Sequence, residues 1–484
     1  MASTDVTREG GPQLFGHPRG LTFLFTTEMW ERFSYYGMRA ILIYYLVNYL
    51  LHPEIYDGVA GHGVLRTIVE WMFNGGRHMD IQPFSSGIYG LYTMLVYLTP
   101  VIGGFIADRW LGQRFTVIIG GVVMAIAEFV LFVPSLFVFG LLLLIVGNGF
   151  FKPNISTQVG NLYRPGDSRI DSAFSIFYVG INVGAFFSPF ICGWLGDHTG
   201  YNWGFFAAGV GMVVGLITYL FALRTLPADH VTRVKKDEAV KKPMTGEDWK
   251  AVIAIILLCI PTTFFWATYE QQGNTIALWA QDFTNRAFIP GVIDWQIPAA
   301  WFQSVNPFMI AIFTPLVVAL WARQSKKGKE PSTVTKMALG LFMLAVSYVV
   351  MAAAAYLSPH GNSSWLWLLG FFVFITLGEL YLSPIGLALV ARVAPVQILS
   401  LMMGLWFITS FTGNYLQGYI GTYFSQMDKT QFFLLCAGIG AAAGVVTWVF
   451  NFPLKPILEK KGPLHQPELA EPQADPHMEP RLAE

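Results

Sequence analysis

Within the stretch EMWERFSYYGMR, six side chains can do acid–base and electrostatic chemistry: Glu28, Glu31, Arg32, Tyr35, Tyr36 and Arg39. Carboxylates take up and release protons, and guanidinium groups hold anions. The surrounding segment, from about Leu21 to Leu51, is otherwise apolar. At about 100° per residue on a helix, Glu28, Arg32, Tyr35 and Arg39 fall in one narrow arc, with Glu31 and Tyr36 on its shoulders. A charged side chain at membrane depth costs from about 2.5 kcal/mol upward, so it normally faces a protein interior or a water-filled cavity. The stripe therefore predicts a polar cavity. The alternative is local: Glu28 with Arg32, and Glu31 with Tyr35, are each about one turn apart and can satisfy one another.

Further charges interrupt apolar runs elsewhere. Lys152 stands just before Pro153 in GNGFFKPN, where it either meets a buried counter-charge or snorkels to the surface. Glu270 and Glu379 lie in the second half of the chain. The first half thus supplies mostly cations and the second anions, an arrangement suited to a zwitterion. Tyr97, Asn182 and Asn306 can hydrogen-bond a ligand without net charge. Trp266 and Trp406 either line side-chain pockets or serve as packing and interfacial anchors. Glu128 also breaks an apolar run, and no motif assigns it a role.

The elements that carry these residues must be membrane spans. Of 484 residues, 54% are hydrophobic and 12% charged, against about a quarter charged in a soluble domain. The composition describes an all-α polytopic membrane protein. Formal net charge is zero and no basic block is interleaved with aromatics, so nucleic acid is not an expected partner. Cys192, Cys259 and Cys436 are scattered without metal-ligand spacing, so neither a disulfide, a metal nor a cofactor is expected. The segment 1–20 lacks the apolar core of a cleavable signal.

Twelve spans of about 20 residues or more can be marked along the chain. They fall at approximately 21–50, 82–109, 115–133, 137–163, 171–195 and 203–224, then 250–283, 298–324, 333–357, 364–393, 397–426 and 430–453. The expected organisation is an N-terminal segment 1–20, a six-helix bundle 21–224, a charged linker 225–249, a second six-helix bundle 250–453, and a disordered tail 454–484 rich in Pro and Glu. Arg109, Arg114, Arg164, Arg169, the linker Lys and Arg, Lys326, Lys327, Lys329, Arg392, Lys460 and Lys461 share one side of this arrangement, which the positive-inside rule makes cytoplasmic. Both termini are then cytoplasmic. The longest opposite loop, about 51–80, holds only Arg66 and Arg77 as basic residues. Two bundles joined by a basic linker read as a secondary transporter with a central site, although receptors and membrane enzymes share much of this plan.

GGFIADRWLGQR, with Gly103, Gly104, Asp108, Arg109, Gly112 and Arg114, resembles the cytoplasmic loop motif of the major facilitator superfamily. Its glycines allow close helix approach, and Asp108 with Arg109 can pair with the next helix end and release when the bundles rock. Three longer stretches, EMWERFSYYG, GNGFFKPN and FSIFYVGINVGAF, resemble the first-, fourth- and fifth-helix motifs of the proton-coupled oligopeptide transporters, the POT or peptide transporter family. FWATYEQQGN, FQSVNP, GELYLSPIGL and MMGLWF echo it more weakly.

The resemblance implies a major facilitator fold and a bacterial inner-membrane symporter that imports di- and tripeptides with protons, working as a monomer in the bilayer. It implies that Glu28, Glu31, Arg32, Lys152 and Glu270 serve proton coupling, with Glu28 or Glu31 opposite Lys152. Tyr35, Tyr36, Arg39, Tyr97, Lys152, Asn182, Trp266, Asn306, Glu379 and Trp406 would form the peptide site, and Glu270 would pair with Arg39 when the outside is closed. Many bacterial members insert two extra helices between the bundles; the linker here is too short, so twelve are expected. A facilitator without proton coupling remains open. A membrane peptide hydrolase is disfavoured, because no HExxH motif is present.

Overall fold

The computed structural model describes residues 13–14, 16–164, 167–227, 229, 243–289, 291–359 and 361–459. The first twelve residues, most of the expected linker, and the tail from 460 onward lie outside the described residues.

Twelve long helices follow one another among the described residues. They are α1 (Arg19–Tyr45), α2 (Ile81–Leu111), α3 (Gln113–Leu131), α4 (Pro134–Asn161), α5 (Ile170–Thr199), α6 (Tyr201–Ala222), α7 (Gly246–Asp282), α8 (Ala299–Lys326), α9 (Thr333–Leu357), α10 (Leu366–Val393), α11 (Leu399–Gly421) and α12 (Lys429–Leu458). Ten of them are both long and apolar enough to cross a bilayer. The other two, α1 and α11, are where polar residues concentrate. In α11, Asn414 and Gln417 are fully buried, so its polarity faces protein rather than lipid. Exposed Phe139, Ile253, Leu316 and Phe452 belong to the apolar surface that a bilayer would cover.

Several boundaries differ from those expected. Helix α7 begins at Gly246, inside the stretch read as linker, because Thr245 and Asp248 form a reciprocal capping box: the Asp248 backbone N–H donates to Thr245 Oγ1 at 3.2 Å, and the Thr245 N–H to Asp248 Oδ2 at 2.9 Å. Helix α12 runs on past residue 453, through Pro453 and Pro456, into the stretch read as tail. The loop 51–80 is not featureless, since His62–Asn74 forms a thirteen-residue helix lying outside the bundles. Small pairings, Ala287–Ile289 with Ile293–Gln296 and Thr284–Asn285 with Ser363–Ser364, decorate the same end without altering the all-helical plan.

Helices α1–α6 and α7–α12 form two bundles. Contacts between them gather at the end carrying residues 51–80, called the outer end here. Helix α2 packs along α11, where the backbones of Gly90 and Gly418 touch and a side-chain carbon on either would collide with the other. Hydrogen bonds reinforce the seam: Ser86 Oγ to Asn274 Oδ1 at 2.9 Å, Gln82 Nε2 to the Gly421 carbonyl at 3.0 Å, and Tyr44 Oη to the Ala277 carbonyl at 3.1 Å. Phe186 and Phe308 stack where α5 meets α8. The outer end is closed.

Candidate functional site

On α1, Arg32 is the hub. Glu31 grips its guanidinium with both carboxylate oxygens, one of them accepting from Nη2 at 2.7 Å, and Glu28 Oε1 lies 3.2 Å from Nε. All three side chains are excluded from solvent. Two anions thus share one cation, and Glu28 Oε2 has no hydrogen-bond partner among the described residues. Arg32 also lies over the Tyr35 ring, 5.1 Å from its centroid. Lys152 does not join this knot. Its ammonium sits 5.1 Å from the centroid of Tyr97, within electrostatic reach of Glu28, Glu31 and Arg32 but, among the described residues, at ion-pair distance from no carboxylate. The backbone explains its setting: Pro153 has no N–H to give to Gly149, and the freed Gly149 carbonyl faces Gly103 of α2, where only a glycine fits.

Arg39, two turns further along α1, crosses to the other bundle. It forms an ion pair with Glu270 and donates from Nε to Tyr89 Oη at 2.6 Å. Glu270 is presented by a tight turn, Glu270–Gly273, that breaks α7, and Gly273 lies against Tyr89 where a larger residue would clash. On α10, Glu379 Oε2 accepts from Tyr269 Oη at 2.7 Å and from Asn306 Nδ2 at 3.1 Å. The same Asn306 amide donates to Thr376 Oγ1 at 3.0 Å.

These groups meet at a cavity of about 180 Å³ between the bundles. The first bundle contributes Tyr36, Arg39, Tyr97 and Asn182, and the second Trp266, Glu270, Asn306 and Glu379. The α1 stripe therefore divides. Tyr36 and Arg39 line the cavity, whereas Glu28, Glu31, Arg32 and Tyr35 are not among its lining residues, and the guanidinium and two carboxylates complete one another on α1. The intrahelical Glu28–Arg32 pair is real, but Glu31 bonds Arg32 rather than Tyr35. Lys152 is not among the lining residues, but the Tyr97 ring beneath its ammonium is. Trp406 is not at the cavity: it packs over Gly386 in an apolar cluster with Leu258, Leu389 and Met402. Asn182 Nδ2 donates to the Tyr178 carbonyl one turn back.

Tyr178, Tyr269 and Gln303 also line the cavity and were not singled out from sequence. Tyr178 precedes Asn182 by one helical turn, so helical spacing carries a signal for it, whereas Tyr269 is adjacent to Glu270 and adjacency on a helix carries none. A larger cavity of about 670 Å³ lies further out, beside Tyr44, Asn48, Asp197 and Arg286. It stands outside the Asn48–Gln281 hydrogen bond of the seal and lacks the carboxylate and lysine set.

The loop motif behaves differently from its expected pairing. Arg109 lies over the Phe105 ring at 5.0 Å, and among the described residues neither Asp108 nor Arg109 forms an ion pair with a neighbouring helix end. Arg114 makes the tie instead. Its backbone N–H donates to Asp229 Oδ2 at 2.9 Å and its guanidinium to the Leu226 carbonyl, just past the end of α6. Gly112, at φ +75°, lies against the Asp229 carboxylate and leaves no room for a side chain.

Glu128 is buried in the first bundle; one oxygen accepts from Ser34 Oγ at 3.3 Å, and the other has no hydrogen-bond partner among the described residues. An uncompensated charge there would cost several kcal/mol. We expect Glu128→Gln, which preserves shape, to leave peptide uptake and its pH dependence unchanged. A shifted pH profile in liposome uptake would place Glu128 in the proton path instead.

Two six-helix bundles closing on a central, charged set of side chains have the architecture of a secondary transporter of the major facilitator kind. Known proteins narrow the class. The profile of the POT family matches residues 114–230 and 225–446. Peptide transporter YePEPT of Yersinia enterocolitica is 33% identical, over 86% of this chain and 90% of that one. A di-/tripeptide transporter of Lactococcus lactis is 31% identical, over 93% and 97%. Among solved structures, the crystal structure of peptide transporter POT in complex with sulfate superposes with a TM-score of 0.79 at 30% identity, covering 93% of this chain and 97% of that one. That of a POT family transporter in complex with 5-aminolevulinic acid gives 0.78 at 27%, covering 92% and 98%. The chain belongs to the POT family.

Proposed function

We propose that this protein is a proton-coupled symporter that imports di- and tripeptides by alternating access across the bacterial inner membrane. Family membership and the di-/tripeptide transporter relatives support the substrate class. The observation that carries the coupling scheme is the knot on α1: two carboxylates on one guanidinium and, among the described residues, a Glu28 oxygen without a hydrogen-bond partner and a lysine without an ion-paired carboxylate. A proton has an open acceptor at Glu28 Oε2, and a substrate carboxylate has an unclaimed cation at Lys152. Binding of either is then favoured by the other, since the added proton and the added carboxylate offset in charge. Glu379, half-buried and accepting from Tyr269 and Asn306, suits a peptide ammonium. Arg39 with Glu270 forms the pair that must open when the cavity turns outward, and Arg39 is then free to meet the substrate carboxylate. No nucleic acid or second subunit is needed for this scheme.

The experiment is uptake of a labelled dipeptide by purified protein in sealed liposomes under an inward proton gradient. Accumulation above the external concentration is expected. Equilibration alone would make the protein a facilitator, and hydrolysis without accumulation would make it an enzyme.

The orientation carries its own test. With the Lys and Arg bias as its basis, a cysteine at Asp57 in the 51–80 loop should be labelled from outside by an impermeant thiol reagent, and one in the 225–249 linker should not. The native cysteines are all buried and will not compete. The reverse pattern would invert the protein in the membrane.

A further inference from the structure

The helix His62–Asn74 has an apolar arc that runs about half-way round, and the protein covers only part of it. Leu65, Val69 and Phe73 are buried. Val69 meets α2 at Gly87, and Phe73 lies against Gly418 of α11. The Phe73 ring packs on Tyr415 with centroids 5.1 Å apart, and Tyr415 Oη donates to the Met72 carbonyl at 2.9 Å. The helix thus lies across the seam between the two bundles. Next to this face the apolar arc continues as Val64, Ile68 and Trp71, which are 66%, 42% and 73% exposed. At about 100° per residue these three fall within about 60° of one another. They form one uncovered stripe.

The polar arc, by contrast, is satisfied by the protein. Arg66 pairs with Glu70 at 3.0 Å and lies over the rings of Tyr56 and Phe84, and Glu70 Oε1 accepts from the Met79 backbone N–H at 3.1 Å. Its charged groups are engaged inward while Val64, Ile68 and Trp71 point away.

Depth identifies what covers the stripe. Helix α2 starts at Ile81 and meets the short helix at Gly87, six residues in, or about 9 Å along its axis at about 1.5 Å per residue. Helix α11 ends at Gly421 and meets it at Gly418, about 4.5 Å in by the same rise. Helix α2 with its terminal turn has 31 residues and spans about 46 Å, somewhat more than the roughly 40–45 Å of a bilayer with its headgroups. A helix set about 5–9 Å inside such ends lies where the headgroups meet the acyl chains, the level at which amphipathic helices bury about 5–10 Å of apolar face. Tryptophan is enriched at that level.

We propose that His62–Asn74 lies in the outer-leaflet interface, with Val64, Ile68 and Trp71 inserted among lipid chains and the helix held across the α2–α11 seam. Lipid, not a protein partner, is the occupant of the stripe.

The test uses nitroxide spin labels on single introduced cysteines in the full chain reconstituted in liposomes, with accessibility to oxygen and to a water-soluble nickel chelate. A label at Ile68→Cys should be several-fold more accessible to oxygen than to the chelate. One at Gly63→Cys, on the polar arc with open space around it, should show the reverse ratio. Equal chelate access at both positions would mean that the stripe faces water and would overturn the proposal. A label at Ile68 shielded from both reagents would mean that another protein surface covers it, and would overturn it equally. Both positions are exposed, so labelling should not disturb folding; uptake by the labelled proteins, matched to the unaltered chain, checks this and also keeps the result independent of the substrate assignment.

Discussion

Liposomes carrying Lys152→Ala are expected to bring a labelled dipeptide no higher than its external concentration, where the unaltered protein accumulates it. The reason is the division of charge on α1. Arg32 is already committed to Glu31 through both oxygens and to Glu28 through one, so it has little to offer an incoming carboxylate. Lys152 lies over the Tyr97 ring face and, among the described residues, is in ion-pair contact with no carboxylate. Removing its ammonium forfeits a charge-assisted contact of about 1.5–3 kcal/mol, roughly a ten- to hundredfold loss of affinity, and it removes the group through which proton and peptide sense each other. Glu28→Gln and Glu31→Gln should fail in the same way under a gradient, because an amide cannot take up the proton. Exchange of internal for external peptide without a gradient should survive in the glutamine variants. Gradient-driven accumulation by Lys152→Ala at the unaltered rate would sink the proposed network.

How much of this could be read beforehand follows from what the bilayer penalises. A charge in an apolar run is conspicuous because hydrocarbon rejects it, so Glu28, Glu31, Arg32, Arg39, Lys152, Glu270 and Glu379 stood out from sequence alone. The twelve long helices were legible for the same reason, ten of them apolar enough to cross a bilayer, with α1 and α11 carrying too much polarity to pass on hydropathy. Partner choice was not legible. Helical spacing places Glu28, Arg32 and Arg39 on one arc, but whether that arc meets a cavity or a neighbouring helix depends on the rotation of α1 against α4 and α7, which sequence period does not encode. Hence the stripe split, with Arg39 on the cavity and Arg32 buried behind it. Trp406 took the packing one of its two readings: a large aromatic near a glycine such as Gly386 fills the notch the glycine leaves, wherever that notch is. Neutral groups such as Tyr269 and Gln303 carry no penalty conspicuous enough to mark them. The helix at His62–Asn74 was hidden because thirteen residues cannot span, and a loop between spans draws attention only to its charges.

The second large effect concerns the far pole of the substrate. Glu379 faces the cavity from the second bundle, held by Tyr269 and Asn306, while the available cations come from the first. A dipeptide acetylated at its amino end should therefore compete for uptake at least about thirtyfold less well than the free dipeptide, since stranding one partner of a buried charge pair costs about 2–5 kcal/mol. Each added residue moves the two ends apart by at most about 3.3–3.6 Å. Tripeptides can tilt or use a bridging water, but tetrapeptides must abandon one pole, and single amino acids cannot reach both. Side chains should matter less, because Asn182 and Asn306 offer contacts to the shared backbone. Glu379→Ala should compress the difference between acetylated and free ligands. Equal competition by the two in the unaltered protein would show that the poles are wrongly assigned.

The most direct test of the account is to watch the proton and the peptide together. Liposomes holding the unaltered protein and an internal pH-sensitive dye, clamped at zero membrane potential with no initial pH difference, are given a dipeptide outside. The account predicts that the lumen acidifies as labelled peptide enters, that the two time courses coincide, and that the acetylated dipeptide evokes neither. Peptide entry with no acidification would contradict it, because Glu28, Glu31, Arg32 and Lys152 would then carry no proton with the substrate.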